Sequence, residues 1–200
     1  MNKLLDFDKK YLDNYKIIAG IDEAGRGPVA GPLVVAVVVL DYNKEYAYIN
    51  DSKKLSEAQR YRALTSILTN ALYYDFCIID NHEIDRINIL NATKKCILKL
   101  IEYLPDWVDF VLIDHVKVNS SKNVESITYG DSLSLSIAAA SILAKTKRDE
   151  IMKNFDLIYP QYGFKNHKGY LTKEHKEAIM KYGLCEIHRF SYSLNIDHEP

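Results

Sequence analysis

A chain of 200 residues can form one domain with a substantial core, and 48% hydrophobic with 26% charged residues is the balance of an ordinary soluble globular protein. No apolar run approaches the roughly 20 residues needed to span a bilayer, and Met1–Lys10 lacks the apolar centre of a signal peptide, so a cytoplasmic enzyme without membrane contact is expected. The net charge of −1 weighs mildly against a nucleic-acid partner, but Lys145–Lys176 holds eight Lys or Arg against four Asp or Glu.

Lys16–Ile21 is a short β-branched run that reads as a strand ending at Asp22. The segment from Ala24 to Pro32, with three glycines and two prolines, must turn. Leu33–Leu40 is too β-branched and apolar to be anything but a central strand, antiparallel to the first. Ser56 caps a helix running to about Asn70, with Gln59 as its capping-box partner. Ala71–Asp80 reads as a strand, and Ile84–Leu104 carries helical apolar spacing up to Pro105. Val108–Asp114 is a strand ending in a carboxylate, and Val124–Tyr129 a short strand ending at Gly130-Asp131. Ser132 to about Asn154 is a long helix rich in small residues, Tyr159–Tyr170 an aromatic loop, and Thr172–Tyr182 a last helix stopped by Gly183. An antiparallel start followed by β/α alternation predicts a mixed sheet with helices on its faces.

Cys77, Cys96 and Cys185 are far apart and form no C-x-x-C pair, so neither a zinc site nor a disulfide framework is indicated and packing is their expected role. The carboxylates are more informative. Asp22 with Glu23, Asp114 and Asp131 lie at or just past the ends of three predicted strands. Each alone is ordinary turn chemistry. If the strand ends are neighbours, four acids converge, which is costly unless protons or cations are bound. With no thiolate or imidazole set in competition, the fitting cations are Mg²⁺ or Mn²⁺, and two of them could drive phosphodiester hydrolysis without a side-chain nucleophile.

The glycine turn is no dinucleotide site, because its spacing is G-x-G-x-x-x-G, Pro28 follows, and a strand rather than a helix comes next. Gly25 and Gly27 could instead let main chain approach a sugar–phosphate beside Arg26, or simply join paired strands. Tyr159–Tyr170 mixes aromatic rings with Lys165, His167 and Lys168, which suits either a nucleic-acid stacking surface or core packing. Arg148-Asp149-Glu150 reads as an exposed helix face, and Lys53 and Lys54 as phosphate contacts or solvated surface.

Taken together, Gly20-Ile-Asp-Glu-Ala-Gly-Arg-Gly-Pro28, Asp51-Ser-Lys-Lys-Leu55, Val111-Leu-Ile-Asp114, Gly130-Asp131, Ile137 through Lys145 with Arg148-Asp149, and Tyr159 through Tyr170 resemble the bacterial ribonuclease HII family. The resemblance implies an α/β fold, a ribonuclease H-like mixed sheet flanked by helices. It implies one catalytic domain over residues 1–200 that includes a C-terminal helical segment at about 155–200. It implies an endoribonuclease that cuts the RNA strand of RNA–DNA hybrids and DNA containing ribonucleotides, on the 5′ side of the ribonucleotide, leaving 3′-hydroxyl and 5′-phosphate ends. Its metal-binding acids fall on Asp22, Glu23, Asp114 and Asp131, for two Mn²⁺ or Mg²⁺ ions. The element that senses the 2′-hydroxyl falls on Gly25, Arg26 and Gly27, the tyrosine that stacks on the sugar on Tyr170, and a phosphate-backbone contact on Lys53. A monomer is expected.

Three positions depart from the family pattern. His115 stands where glycine is usual, Tyr129 where lysine is common, and Phe190 in place of a frequent basic residue. The alternatives are the type 3 branch of the superfamily, which cuts hybrids but not single embedded ribonucleotides, and a silent hybrid-binding protein. The type 3 branch usually carries an added N-terminal domain, for which the stretch before Lys16 leaves no room, and Arg26 in the turn also disfavours it. A pure binder would gain nothing from acids clustered against phosphates.

Overall fold

A computed structural model describes residues 3–46, 48–49 and 55–194. The sheet has five strands, β1 (Ile18–Ala24), β2 (Leu33–Leu40), β3 (Ala71–Ile79), β4 (Phe110–Asp114) and β5 (Asn123–Ile127), in the spatial order β3-β2-β1-β4-β5. β1 pairs antiparallel with β2 and parallel with β4, so the sheet is mixed as expected. The predicted β2 has the observed bounds, and the Ser56–Gln59 capping box is formed in both directions ahead of α2 (Glu57–Asn70).

Strand alternation divides the core into two layers. Odd-numbered residues of the central strands, among them Ala19, Ile21, Val35, Val37, Val111 and Ile113, face α3 (Asn81–Ile87) and α4 (Ile89–Glu102). Val34, Ala36 and Val38 pack on the other side, against α2 and the long α6 (Leu135–Ile158). There β1 and α6 meet backbone to backbone: a Cβ on Gly20 would lie 2.2 Å from the carbonyl carbon of Ser136. The small residues Ala138, Ala139 and Ala140 permit that approach, and all three are buried.

Several boundaries differ from expectation for local reasons. The predicted helix at 84–104 is two helices, broken at Asn88, whose φ of 63° leaves the helical region and whose side chain caps Asn91. The helix predicted from Ser132 begins properly at Leu135, because Ser134 turns extended and caps Ile137. A separate turn, α5 (Gly130–Leu133), precedes it. An unforeseen amphipathic helix, α1 (Lys3–Leu12), packs through Leu4, and its buried Asp8 accepts from the Ser136 amide at 2.8 Å and from Tyr42 Oη at 2.7 Å. Cys77 and Cys96 are packed in the core as expected, with their thiols in mutual contact at 2.7 Å.

The aromatic loop is more ordered than expected. Pro160–Tyr162 forms a 3-10 turn and Phe164–His167 a helical turn, α7, before α8 (Lys173–Tyr182) ends at Gly183. Tyr162, Phe164 and His167 are buried, so packing claims most of this segment. With Met152 of α6, Ala30 of the glycine turn, Ile179 and Ile187, Tyr162 and Phe164 build a small core that holds the C-terminal segment against the glycine turn, where Ala30 pairs with His188.

Candidate active site

An open cleft of about 400 Å³ lies where β1, β4, α5 and the glycine turn meet, lined by Asp22, Glu23, Asp114 and Asp131, by Gly25, Arg26 and Gly27, and by Tyr170. Eight of the nine site residues that the resemblance implies therefore share one cleft. The ninth, Lys53, lies outside the described residues.

The strands deliver the acids, though not all from strand ends. Asp22 is inside β1, opposite Ala36 in the ladder, because β2 continues the pairing through Ala24. Parity places it on the α6 side with Gly20, one step beyond the Ile21–Ile113 pair, and Asp114 follows Ile113 on the same face. Asp131 does not end a strand. β5 stops at Ile127, Tyr129 takes a left-handed conformation at φ 58°, and Asp131 is the second residue of α5. The Gly130 amide donates to Asp114 Oδ1 at 2.7 Å, which binds that turn to the third acid. His115, in the usual glycine position, also has a positive φ of 55°, which explains a preference for glycine there.

Electrostatically the cluster is strained. Burial, then the charges of Glu23 and Asp114, push the Asp22 carboxyl well above the usual carboxylate range, against hydrogen bonds from Ser141 and the Glu23 amide. Burial also raises Glu23, over the opposing pull of Arg26, whose Nη1 lies 3.3 Å from Glu23 Oε1. Glu23 Oε2 is buried with no hydrogen-bond partner among the described residues. An orphaned carboxylate oxygen beside two crowded acids fits a hard cation. Among the described residues no three Asp, Glu, His or Cys side chains close into a tight ligand set. The four acids instead line one wall of the open cleft.

Three cations that the sequence reading did not assign to the site also line the cleft: Arg60, Lys145 and Arg148. Lys145 pairs with Asp149 at 2.6 Å, and Arg60 lies 4.0 Å from the same carboxylate. Arg148 corrects the expectation of an exposed helix face. It is 1% exposed, and its guanidinium donates to the carbonyls of Pro32, Lys168 and Ala30 at 2.9, 2.9 and 3.0 Å. A Cβ on Gly25 would lie 2.3 Å from Arg148 Nε, so that glycine is needed for contact as well as for its φ of 104°. Nothing in the local pattern of a helical Arg-Asp-Glu marks its arginine as a bracket for a turn more than a hundred residues earlier.

Tyr170, 48% exposed, presents its ring to the cleft beside Gly27, where a Cβ would lie 3.5 Å from the ring. Its carbonyl is held from behind by buried histidines. The Cys185 amide donates to His188 Nδ1 at 2.9 Å, so His188 carries its proton on Nε2 and donates to His175 Nε2 at 3.0 Å. His175 Nδ1 then donates to the Tyr170 carbonyl at 3.0 Å.

Burial lowers His175 from its ordinary value to about 4 and lowers His188 as well. A histidine depressed in the fold contributes stability that is complete above the free imidazole value near 6.5 and is lost as pH falls from there toward about 4. The melting temperature should therefore drop by several degrees between those limits. Thermal melts across that window check this, and a His175→Gln variant should show a shallower acid slope.

Sheet order, carboxylate cluster and basic cleft wall define a nuclease of the ribonuclease H fold. The family model described as ribonuclease HII matches residues 19–195. The ribonuclease HII of Ruminiclostridium cellulolyticum is 49% identical over 197 residues, covering 98% of this chain and 77% of that protein. The chain belongs to the ribonuclease HII family and is a ribonuclease H, a hydrolase acting on RNA in RNA–DNA hybrids. The fold is shared with the crystal structure of ribonuclease H2 from Pyrococcus horikoshii, at a TM-score of 0.76 and 24% identity over 89% of this chain and 94% of that one. It is shared with Bst ribonuclease HIII solved in complex with Mn²⁺, at 0.62 and 20% over 84% and 63%.

Proposed function

We propose that this cleft cuts duplex DNA on the 5′ side of an embedded ribonucleotide, as well as the RNA strand of hybrids, leaving 3′-hydroxyl and 5′-phosphate ends. The observation that carries the reading is the meeting of two unlike elements in one cleft: the acids Asp22, Glu23, Asp114 and Asp131, and the glycine turn with Arg26.

The four acids are the residues that would hold divalent metal. Mn²⁺ is bound by the related ribonuclease HIII, and Mg²⁺ suits the same oxygen donors. Bound there as a pair, such ions would supply a water nucleophile and stabilise charge on the phosphate. The chain's own residues do the rest. Arg60 and Lys145 on the cleft wall attract the phosphate backbone. Gly25 and Gly27 have no side chains to keep the sugar from the main chain, and Arg26 holds Glu23 in position. Tyr170 offers its face to the sugar at the DNA–RNA junction, and Lys53 adds a backbone contact. The same proposal has the enzyme working as a monomer in the cytoplasm.

The test is a DNA duplex with one ribonucleotide, incubated with Mn²⁺ or Mg²⁺ beside an RNA–DNA hybrid and an all-DNA control. Incision one bond 5′ of the ribonucleotide, abolished by chelator, is expected. Cleavage of the hybrid alone would move the chain to the type 3 activity, and binding without cutting under both metals would overturn the reading.

A further inference from the structure

We infer that Arg189, assisted by Tyr192, is a positioning residue that turns the amides of Arg26 and Gly27 into the cleft as paired donors for a substrate oxygen.

Arg189 is fully buried at the far end of the chain from the turn it serves. Its Nη2 donates to the Gly25 carbonyl at 2.6 Å, its Nη1 to the Arg26 carbonyl at 3.2 Å, and its Nε to the Gly31 carbonyl at 3.0 Å. Tyr192 Oη donates to the Arg26 carbonyl at 2.7 Å and accepts from Arg189 Nη1 at 3.0 Å. No peptide bond of the described chain is cis. In a trans peptide the carbonyl and the N–H of the same plane point in opposite directions. The Gly25 carbonyl shares its plane with the Arg26 amide, and the Arg26 carbonyl shares its plane with the Gly27 amide. Fixing both oxygens on the buried guanidinium therefore aims both N–H groups away from it, and Gly25, Arg26 and Gly27 line the cleft.

Among the described residues neither amide has an acceptor in the protein. Two successive free N–H groups form a small concavity suited to an oxygen with lone pairs. The cation behind the carbonyls polarises both peptides and strengthens these donors. The planar fork of arginine meets the three carbonyls from three separate nitrogens at fixed angles, whereas a lysine would have to meet them from a single nitrogen. Arg148 braces the later part of the turn, at Ala30 and Pro32, and leaves the orientation of the first two peptides to Arg189.

The inference rests on the reading that Gly25–Gly27 faces the ribose. Its test compares binding, in chelator, of a DNA duplex containing one ribonucleotide with the all-DNA duplex of the same sequence. The wild-type protein should prefer the ribonucleotide duplex. Arg189→Lys should lose about tenfold of that preference and Tyr192→Phe about threefold, with affinity for all-DNA unchanged. Tyr192→Phe removes one hydroxyl and leaves the guanidinium, so it decides the matter if Arg189→Lys does not fold. An undiminished preference in a variant that melts cooperatively overturns the role of Arg189, as does an equal loss of affinity for both duplexes. A wild-type protein without any preference removes the underlying reading of the turn, and the inference with it.

Discussion

Asp114→Asn should lower turnover by about three orders of magnitude while the protein melts within a few degrees of the wild type. The two halves have separate causes. Asp114 Oδ1 accepts the Gly130 amide that fastens α5, and an asparagine oxygen can accept the same bond, so the turn carrying Asp131 stays in place. What is lost is a negative charge beside Asp22 and Glu23, whose raised carboxyls already register it. Relief of that repulsion favours the fold, whereas affinity for a cation falls. Steady-state turnover on an RNA–DNA hybrid, with thermal melts of the same preparation, measures both. Near-normal turnover would remove Asp114 from the ligand set.

Gly20→Ala should destabilise the protein by about 4 kcal/mol or more, a fall of about 10 °C in melting temperature. The new Cβ would meet backbone, not a flexible side chain: Ser136 C at 2.2 Å, with Ile137 N and Ser136 O at 2.4 Å. Neither β1 nor α6 can yield locally, since Ile18 and Ile21 of the strand and Ile137 to Leu143 of the helix are all in close-packed core. The strand must move away from the helix, carrying Asp22 with it. Gly27→Ala is the control. There the Cβ would make only an ordinary contact with the Tyr170 ring at 3.5 Å, so this variant should melt like the wild type and differ only in catalysis. Equal melting of the two variants would contradict the strand–helix contact.

Legibility in the sequence followed the range of the interactions. β2 could be read to the residue because its apolar run is buried on both faces, and α2 because its cap is a local hydrogen bond between Ser56 and Gln59. Helix breaks were lost where one residue decides: Asn88 at a positive φ and Ser134 in an extended one are compatible with the flanking apolar spacing. The acids were visible as a set, yet Asp131 was assigned to the wrong element, because the left-handed turn at Tyr129 has no glycine or asparagine to mark it. Arg148 and Arg189 were missed as parts of the site for a different reason. Their partners are main-chain carbonyls, which carry no residue identity, at separations of 116 and 164 residues for Pro32 and Gly25. The aromatic segment divided between its two readings: Tyr162 and Phe164 are core, and Tyr170 belongs to the cleft.

Whether the acids act together as a cation site is the central claim, and calorimetric titration of Mn²⁺ into the substrate-free protein tests it most directly. Wild-type protein should bind saturably, and Asp22→Asn and Asp114→Asn should each weaken binding by about tenfold or more. Affinity unchanged in both variants, with their folds intact, would contradict the assignment of Asp22 and Asp114 to one metal centre.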